Sequence, residues 1–253
     1  MPEDEKLPLT VHLEELRRRL IICFCAVGIG FVISYIFSKR LFEILMQPLL
    51  AAMPAEEKLI YTGLPEAFFT YLKVAFLAGV LLSVPVIVYQ LWMFIAPGLY
   101  DKEKRLVLPI VFLSSLFFLG GALFGYFIVF PFGFKFFMGF ASDYVKPLPA
   151  MKEYLGFSSK LLFAFGIVFE MPLFVTFLAK LGIVNVKFLK AKRKYAILLF
   201  FVFASILTPP DVITQILMAG PLILLYEVGI LGARVFGKKE EKADAAETQE
   251  TAG

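Results

Sequence analysis

The side chains able to do chemistry in this chain fall in four places. The first is the run TVHLEELRRRL at 10–20. Thr10 suits a helix N-cap, and Glu14 and Glu15 follow in the first turns, where the helix dipole favours anions. Leu9, Leu13, Leu16 and Leu20 make one apolar stripe at helical spacing. Four positions apart, Glu14 can reach Arg18 and Glu15 can reach Arg19. By itself the run reads as an interfacial lead-in helix with self-satisfied ion pairs. The second place is QLWMFIAPGLY at 90–100, followed by Asp101, Glu103 and Arg105. Trp92 and Tyr100 suit a membrane interface, and Pro97-Gly98 makes a turn. Glu103 is then either a loop residue paired with Lys102 or Arg105, or the partner of Glu15 on a common face. Two carboxylates on one face can hold a cationic ligand.

The third place is Glu170, in FGIVFEMPLF, a carboxylate between Phe169 and Met171 about halfway along an apolar stretch. Such a group is expensive in an apolar medium unless paired, protonated or solvated. It reads as a proton relay, an ion site or a polar contact for another helix, and as the only carboxylate well inside a span. Pro172 frees a backbone carbonyl nearby and adds polarity. The fourth place is Thr208, Asp211 and Gln215, where Asp211 reads equally as a helix N-cap or as part of a partner contact. Catalysis finds little support. The single histidine, His12, lies outside the apolar stretches, so a histidine triad or zinc site within them is excluded. Neither a nucleophile elbow nor a phosphate-cradling loop occurs.

The elements that must position these groups follow from composition. Of 253 residues, 60% are hydrophobic and 18% charged, with 30 Phe, and mean hydropathy is +0.82. Soluble domains run nearer half apolar and a quarter charged. A disordered chain, a disulfide scaffold and a plain aqueous globule are excluded, and an all-α polytopic membrane protein is expected. Cys23 and Cys25 sit in an apolar run, two apart on a helix, and read as small hydrophobes. The acidic opening MPEDEKLPLT does not read as a cleavable signal peptide.

Six spans are expected, at about 20–37, 69–95, 106–130, 155–181, 195–207 and 212–233. Residues 1–19 form the leading segment, and the polar tail 236–253 reads as disordered. Pro131 is expected to close the third span, and Thr208-Pro209-Pro210-Asp211 breaks the last apolar stretch in two. The piece 195–207, about 20 Å of helix against a core of about 30 Å, is short. It is a re-entrant hairpin or a short crossing that thins the bilayer. Charge favours the crossing. Seventeen of the 25 basic residues precede span one, follow span six, or lie between spans two and three or four and five. Eight fall on the other side, so both termini are expected in the cytoplasm. The two longer loops on the outer side, about 38–68 and 131–154, carry prolines and aromatics and are expected to be ordered caps. No basic tract suggests nucleic acid, and no internal repeat supports an inverted-repeat transporter.

Four stretches occur in order: HLEELRRRL, YQLWMFIAPGLYDKE, FGIVFEMP and LTPPDVITQ. With six spans they resemble the TatC family of the twin-arginine protein translocase, over about residues 8–235. The resemblance implies an inner-membrane receptor for signal peptides carrying paired arginines, without catalysis, cofactor or metal. It implies TatA and TatB single-span partners, oligomers of the chain itself, and transport of folded proteins driven by the proton gradient. Glu15 and Glu103 would take the signal arginines, Phe94 would line the same patch, and Arg17 would order Glu15. Glu170 would serve the partner helices, with Thr208, Asp211 and Gln215 near the same contacts. Pro48 matches a position the family uses, and Glu14 inherits no role. The physics agrees, because an arginine fork suits a carboxylate as a lysine ammonium does not. The rival reading is a proton-coupled small-molecule transporter titrating at Glu170.

Overall fold

The computed structural model describes residues 9–54, 59–95, 107–142, 146–207 and 212–237. Among them the chain is mainly helical, with an isolated bridge between Ile60 and Ala150. The chain divides into two compact units, Met1–Ile167 and Val168–Gly253.

The first unit opens with α1, Leu9–Ile36, one unbroken helix of 28 residues. The lead-in segment and the first span are therefore the same rod, about 42 Å long. No Gly or Pro lies between Thr10 and Leu20, and Glu, Leu and Arg are good helix formers, so nothing breaks the rod at the interface. Thr10, expected at the N-cap, already lies inside it. The chain turns at Phe37 into α2, Ser38–Leu50, which buries Phe42, Leu45, Pro48 and Leu49. The longest helix, α3, Glu66–Ile95, packs along α1.

That packing is made by small residues four apart. A Cβ built on Gly30 would lie 2.6 Å from the Gly79 carbonyl oxygen, and one on Gly79 would lie 2.6 Å from the Phe31 nitrogen. Ala75, Ser83 and Ser34 are buried beside them, and Ser83 Oγ donates to Gly79 O at 2.8 Å. Small residues at this spacing let two backbones touch where lipid offers no hydrophobic drive for association.

α4, Val107–Phe124, passes through a π-helical turn, Gly125–Val129, into α5, Phe130–Met138. The third span therefore does not close at Pro131. That proline follows directly on the π-helical turn, whose altered hydrogen-bond register lets the helix pass it, and the apolar helical run reaches Met138. A ladder of rings, Tyr126–Phe130–Phe134–Tyr154, fills the interior here. The two long loops are pinned together. Ile60 N donates to Pro149 O at 3.1 Å and Met151 N donates to Ile60 O at 2.9 Å. Glu66 accepts from Thr62 N at 2.8 Å and from Lys152 N at 3.2 Å. One carboxylate at the head of α3 thus also reaches the head of α6, Met151–Phe169.

The second unit holds α7, Met171–Lys180, α8, Val186–Leu207, and α9, Val212–Phe236. α7 ends at Gly182, which has φ 78°, the left-handed position that glycine occupies at helix ends. Asn185 caps α8, its Oδ1 accepting from Phe188 N at 2.6 Å. The core gathers Ala179, Leu189, Phe200, Leu222, Tyr226, Ile230 and Ala233. Tyr226 donates its hydroxyl to Leu189 O at 2.8 Å.

Five helical runs among the described residues are long and apolar enough to cross a membrane, the last being Met218–Phe236. In none of their apolar windows is more than 39% buried, and Phe24, Ile29, Phe112 and Leu198 are exposed. That is the surface of rods standing in lipid rather than water. α8 is excluded from the five by the basic residues of its first half. Its apolar part, 195–207, remains short, while the helix is 22 residues long and starts at Val186.

Candidate functional site

The N-terminal turns of α1 and the last turns of α3 build a polar recess, in which Arg19 meets Gln90 from 71 positions away. Glu15 and Arg19 lie one helical turn apart and are both partly buried, with side chains 29% and 17% exposed. Arg19 donates Nε to Glu15 Oε1 at 3.0 Å, and its Nη2 goes to the same oxygen. Its remaining arm, Nη1, donates to Gln90 Oε1 on α3 at 3.2 Å. Among the described residues, Glu15 Oε2 accepts no hydrogen bond. It is the one carboxylate oxygen of this pair left for another donor.

Around this network lies an open cavity of about 720 Å³. Glu14, Glu15, Arg18, Arg19 and Gln90 supply its polar wall, and Val11 and Ile22 its apolar one. Glu14 and Arg18, spaced for an ion pair, line the cavity without forming one among the described residues. Phe94 stands at the same end of the α1–α3 pair, stacked on His12 with ring centroids 4.3 Å apart and planes at 20°. His12 therefore backs an aromatic wall.

Arg17, expected to order Glu15, is exposed, and positions two apart on a helix do not face one another. The residue that orders Glu15 is Arg19. The i,i+4 spacing carried that signal. Gln90 carried none, because its contact depends on how α3 returns along α1. Glu103, Thr208 and Asp211 lie outside the described residues.

The other expected residues are apart from the recess. Pro48 sits inside α2 and is buried. It has no N–H to give to the carbonyl four residues back, and that carbonyl, Ile44 O, instead accepts the Tyr126 hydroxyl at 2.5 Å. The neighbouring Leu45 O accepts the hydroxyl of Tyr154, which is 5% exposed. Pro48 thus opens a place on α2 where the π-helical turn attaches, next to the α6 contact at Leu45 O. Glu170 occupies the single turn residue between α6 and α7. It is half-buried, its Oε1 is shut off from solvent, and its backbone carbonyl accepts from Phe174 N at 2.9 Å. Pro172 lies in the first turn of α7, which explains why the helix breaks here. Gln215 on α9 donates Nε2 to Phe201 O on α8 at 2.9 Å, tying that hairpin together.

Glu170 is not the only carboxylate within an apolar helix. Glu227 lies in α9 and is held in a fork by Arg193 of α8, Nε to Oε1 and Nη2 to Oε2, both at 2.8 Å. Its place six residues before the end of the expected span, near the basic half of α8, was readable as a polar-end position.

Comparison with known proteins agrees with this architecture. Residues 11–221 match the family model described as Sec-independent protein translocase protein (TatC). A protein of that name from Desulforapulum autotrophicum is 62% identical over 250 residues, covering 98% of this chain and 93% of the relative. Its namesake from Magnetococcus marinus is 48% identical over 245 residues, covering 96% and 90%. A crystal structure of the twin-arginine translocase receptor TatC superimposes with a TM-score of 0.77 at 43% identity, covering 89% of this chain and 99% of that one.

Proposed function

Because the chain belongs to the TatC family, components of the Sec-independent twin-arginine translocase in the membrane, we propose that the Glu15 recess is its docking site for paired-arginine signal peptides. The observation that carries this reading is the geometry of Glu15: a carboxylate held by Arg19 through one oxygen, with the other open to a 720 Å³ cavity. A guanidinium can take Oε2 by a charge-assisted bond worth about 1.5–3 kcal/mol. Phe94, stacked on His12, offers an apolar wall for the neighbouring signal residue. Glu103, eight residues beyond Ile95, would supply the second carboxylate. In this account the recess faces the cytoplasm, both termini lie there, and the apolar part of the signal lies against the helices.

The remaining roles follow from the same reading. The chain is a receptor and scaffold rather than an enzyme. It gathers TatA- and TatB-type single-span proteins and further copies of itself, and the proton gradient drives folded cargo across. Glu170 serves those partner helices, as a carboxylate in a kink is a polar foothold in an apolar span. Thr208, Asp211 and Gln215 serve at the last hairpin. Pro48 acts through the attachment of Tyr126.

Photo-crosslinking of an Arg-Arg signal peptide to the membrane-embedded protein tests the assignment. Glu15→Ala and Glu103→Ala should each cut the cross-link by about tenfold or more, one charged hydrogen bond's worth. Glu170→Ala should leave it intact while reducing co-purification of the single-span partners. Full cross-linking in both the Glu15→Ala and Glu103→Ala proteins would overturn the docking assignment.

A further inference from the structure

The receptor reading leaves one contact without a role, since an arginine of the chain itself already sits on the carboxylate meant for the ligand. Arg19 gives two donors to Glu15 Oε1 and a third to Gln90. The cavity wall carries Glu14 and Glu15 against Arg18 and Arg19, so its formal charges cancel. A ligand bearing two guanidinium groups would therefore enter a neutral recess that already holds two of its own.

We infer that Arg19 is a specificity-determining residue, an internal stand-in for the ligand's guanidinium that any incoming cation must replace on Glu15. The inference rests on the docking role of Glu15. The exchange has a defined order. An incoming arginine starts on the open Oε2 and completes a two-pronged contact only by taking Oε1, which Arg19 must yield. Arg19 does not have to leave the wall, because Gln90 on α3 keeps Nη1. A lysine ammonium can reach Oε2 as a point charge, but it lacks the second parallel N–H that would substitute for Arg19 on Oε1. It then meets the undisplaced Arg19 charge at close range. Discrimination between arginine and lysine thus arises from a like-for-like exchange, beyond what an empty carboxylate would give.

The test uses the full chain in lipid nanodiscs with two labelled peptides that differ only in carrying Arg-Arg or Lys-Lys. In the Arg19→Gln protein, Lys-Lys binding should tighten by at least about tenfold while Arg-Arg binding does not weaken, so the preference contracts. Arg19→Lys should retain an intermediate preference, and it decides the matter if Arg19→Gln fails to fold. Gln90→Leu should weaken Arg-Arg binding by about threefold, because the displaced Arg19 has Gln90 as its remaining acceptor, whereas before binding Glu15 also holds it. Weaker Arg-Arg binding with an unchanged preference in both Arg19 variants would mean that Arg19 only holds Glu15 in place, and would overturn the inference. Unchanged binding of both peptides would overturn it as well. Glu15→Gln separates the two ideas. If it abolishes Arg-Arg binding while the Arg19 variants keep the preference, only the exchange role falls. If it binds Arg-Arg normally, the docking site itself falls.

Discussion

At the scale of single residues, the chain repeatedly satisfies a polar group that its own local structure has stranded. Pro48 strands the carbonyl of Ile44, and Tyr126 answers it. The rule that proline frees the carbonyl four residues back is legible in sequence. Which of the chain's 10 tyrosines answers is not, because Tyr126 comes from a π-helical turn with no sequence signature here. Tyr154→Phe removes a buried donor from Leu45 O and should cost about 1–3 kcal/mol in denaturant-monitored stability. Tyr126→Phe should cost less, and its effect should shrink in a Pro48→Ala background, where an N–H at position 48 can serve Ile44 O. A double-mutant cycle reads this coupling. Equal effects of Tyr126→Phe in both backgrounds would count against the account of Pro48. The Glu15–Arg19 pair shows the same limit. Its spacing was visible, while Gln90 and the shared cavity emerge only when α3 lies along α1.

At the scale of elements, the spans were legible because apolar length and prolines announce them, and their ends were less so. Pro131 looked like a stop, yet the helical run passes through it, at the junction of the π-helical turn and α5. The lead-in to α1 looked like a separate helix and is continuous with it, since nothing in 10–20 interrupts helical hydrogen bonding. The small-residue seam between α1 and α3 has no sequence signal, because Gly30, Ser34, Gly79 and Ser83 carry no charge or motif to mark them among the chain's 18 glycines. It governs the recess, because that seam sets Gln90 against Arg19 and Phe94 against His12. Gly79→Val should therefore lower thermal stability in detergent by about 1–3 kcal/mol, as overpacking does, and should weaken Arg-Arg peptide binding with it. Gly28→Ala, on α1 with nothing within 4 Å of the added carbon, should leave both unchanged. Gly28→Ala and Gly79→Val behaving alike would show that helix propensity, not the seam, is being measured.

At the scale of the whole molecule, the asymmetric spread of basic residues is expected to orient the chain, and the docking reading needs the recess on the cytoplasmic side. A cysteine placed at Lys187, beside the cap of α8, should resist a membrane-impermeant thiol reagent in intact cells and react in inverted vesicles. One at Ala150, where the two loops are pinned together, should do the reverse. Each is compared with the parent protein carrying Cys23 and Cys25. The short apolar part of α8 belongs to this scale too, and a thinner bilayer beside that helix is its expected consequence. The docking claim is that Glu15, with Glu103, selects a paired guanidinium tag. The most direct measurement is the equilibrium affinity of the unmutated protein in nanodiscs for peptides carrying Arg-Arg and Lys-Lys at the same positions. The account predicts at least about a tenfold preference for Arg-Arg, from the loss of one two-pronged charged contact. Equal affinity for the two peptides would contradict it.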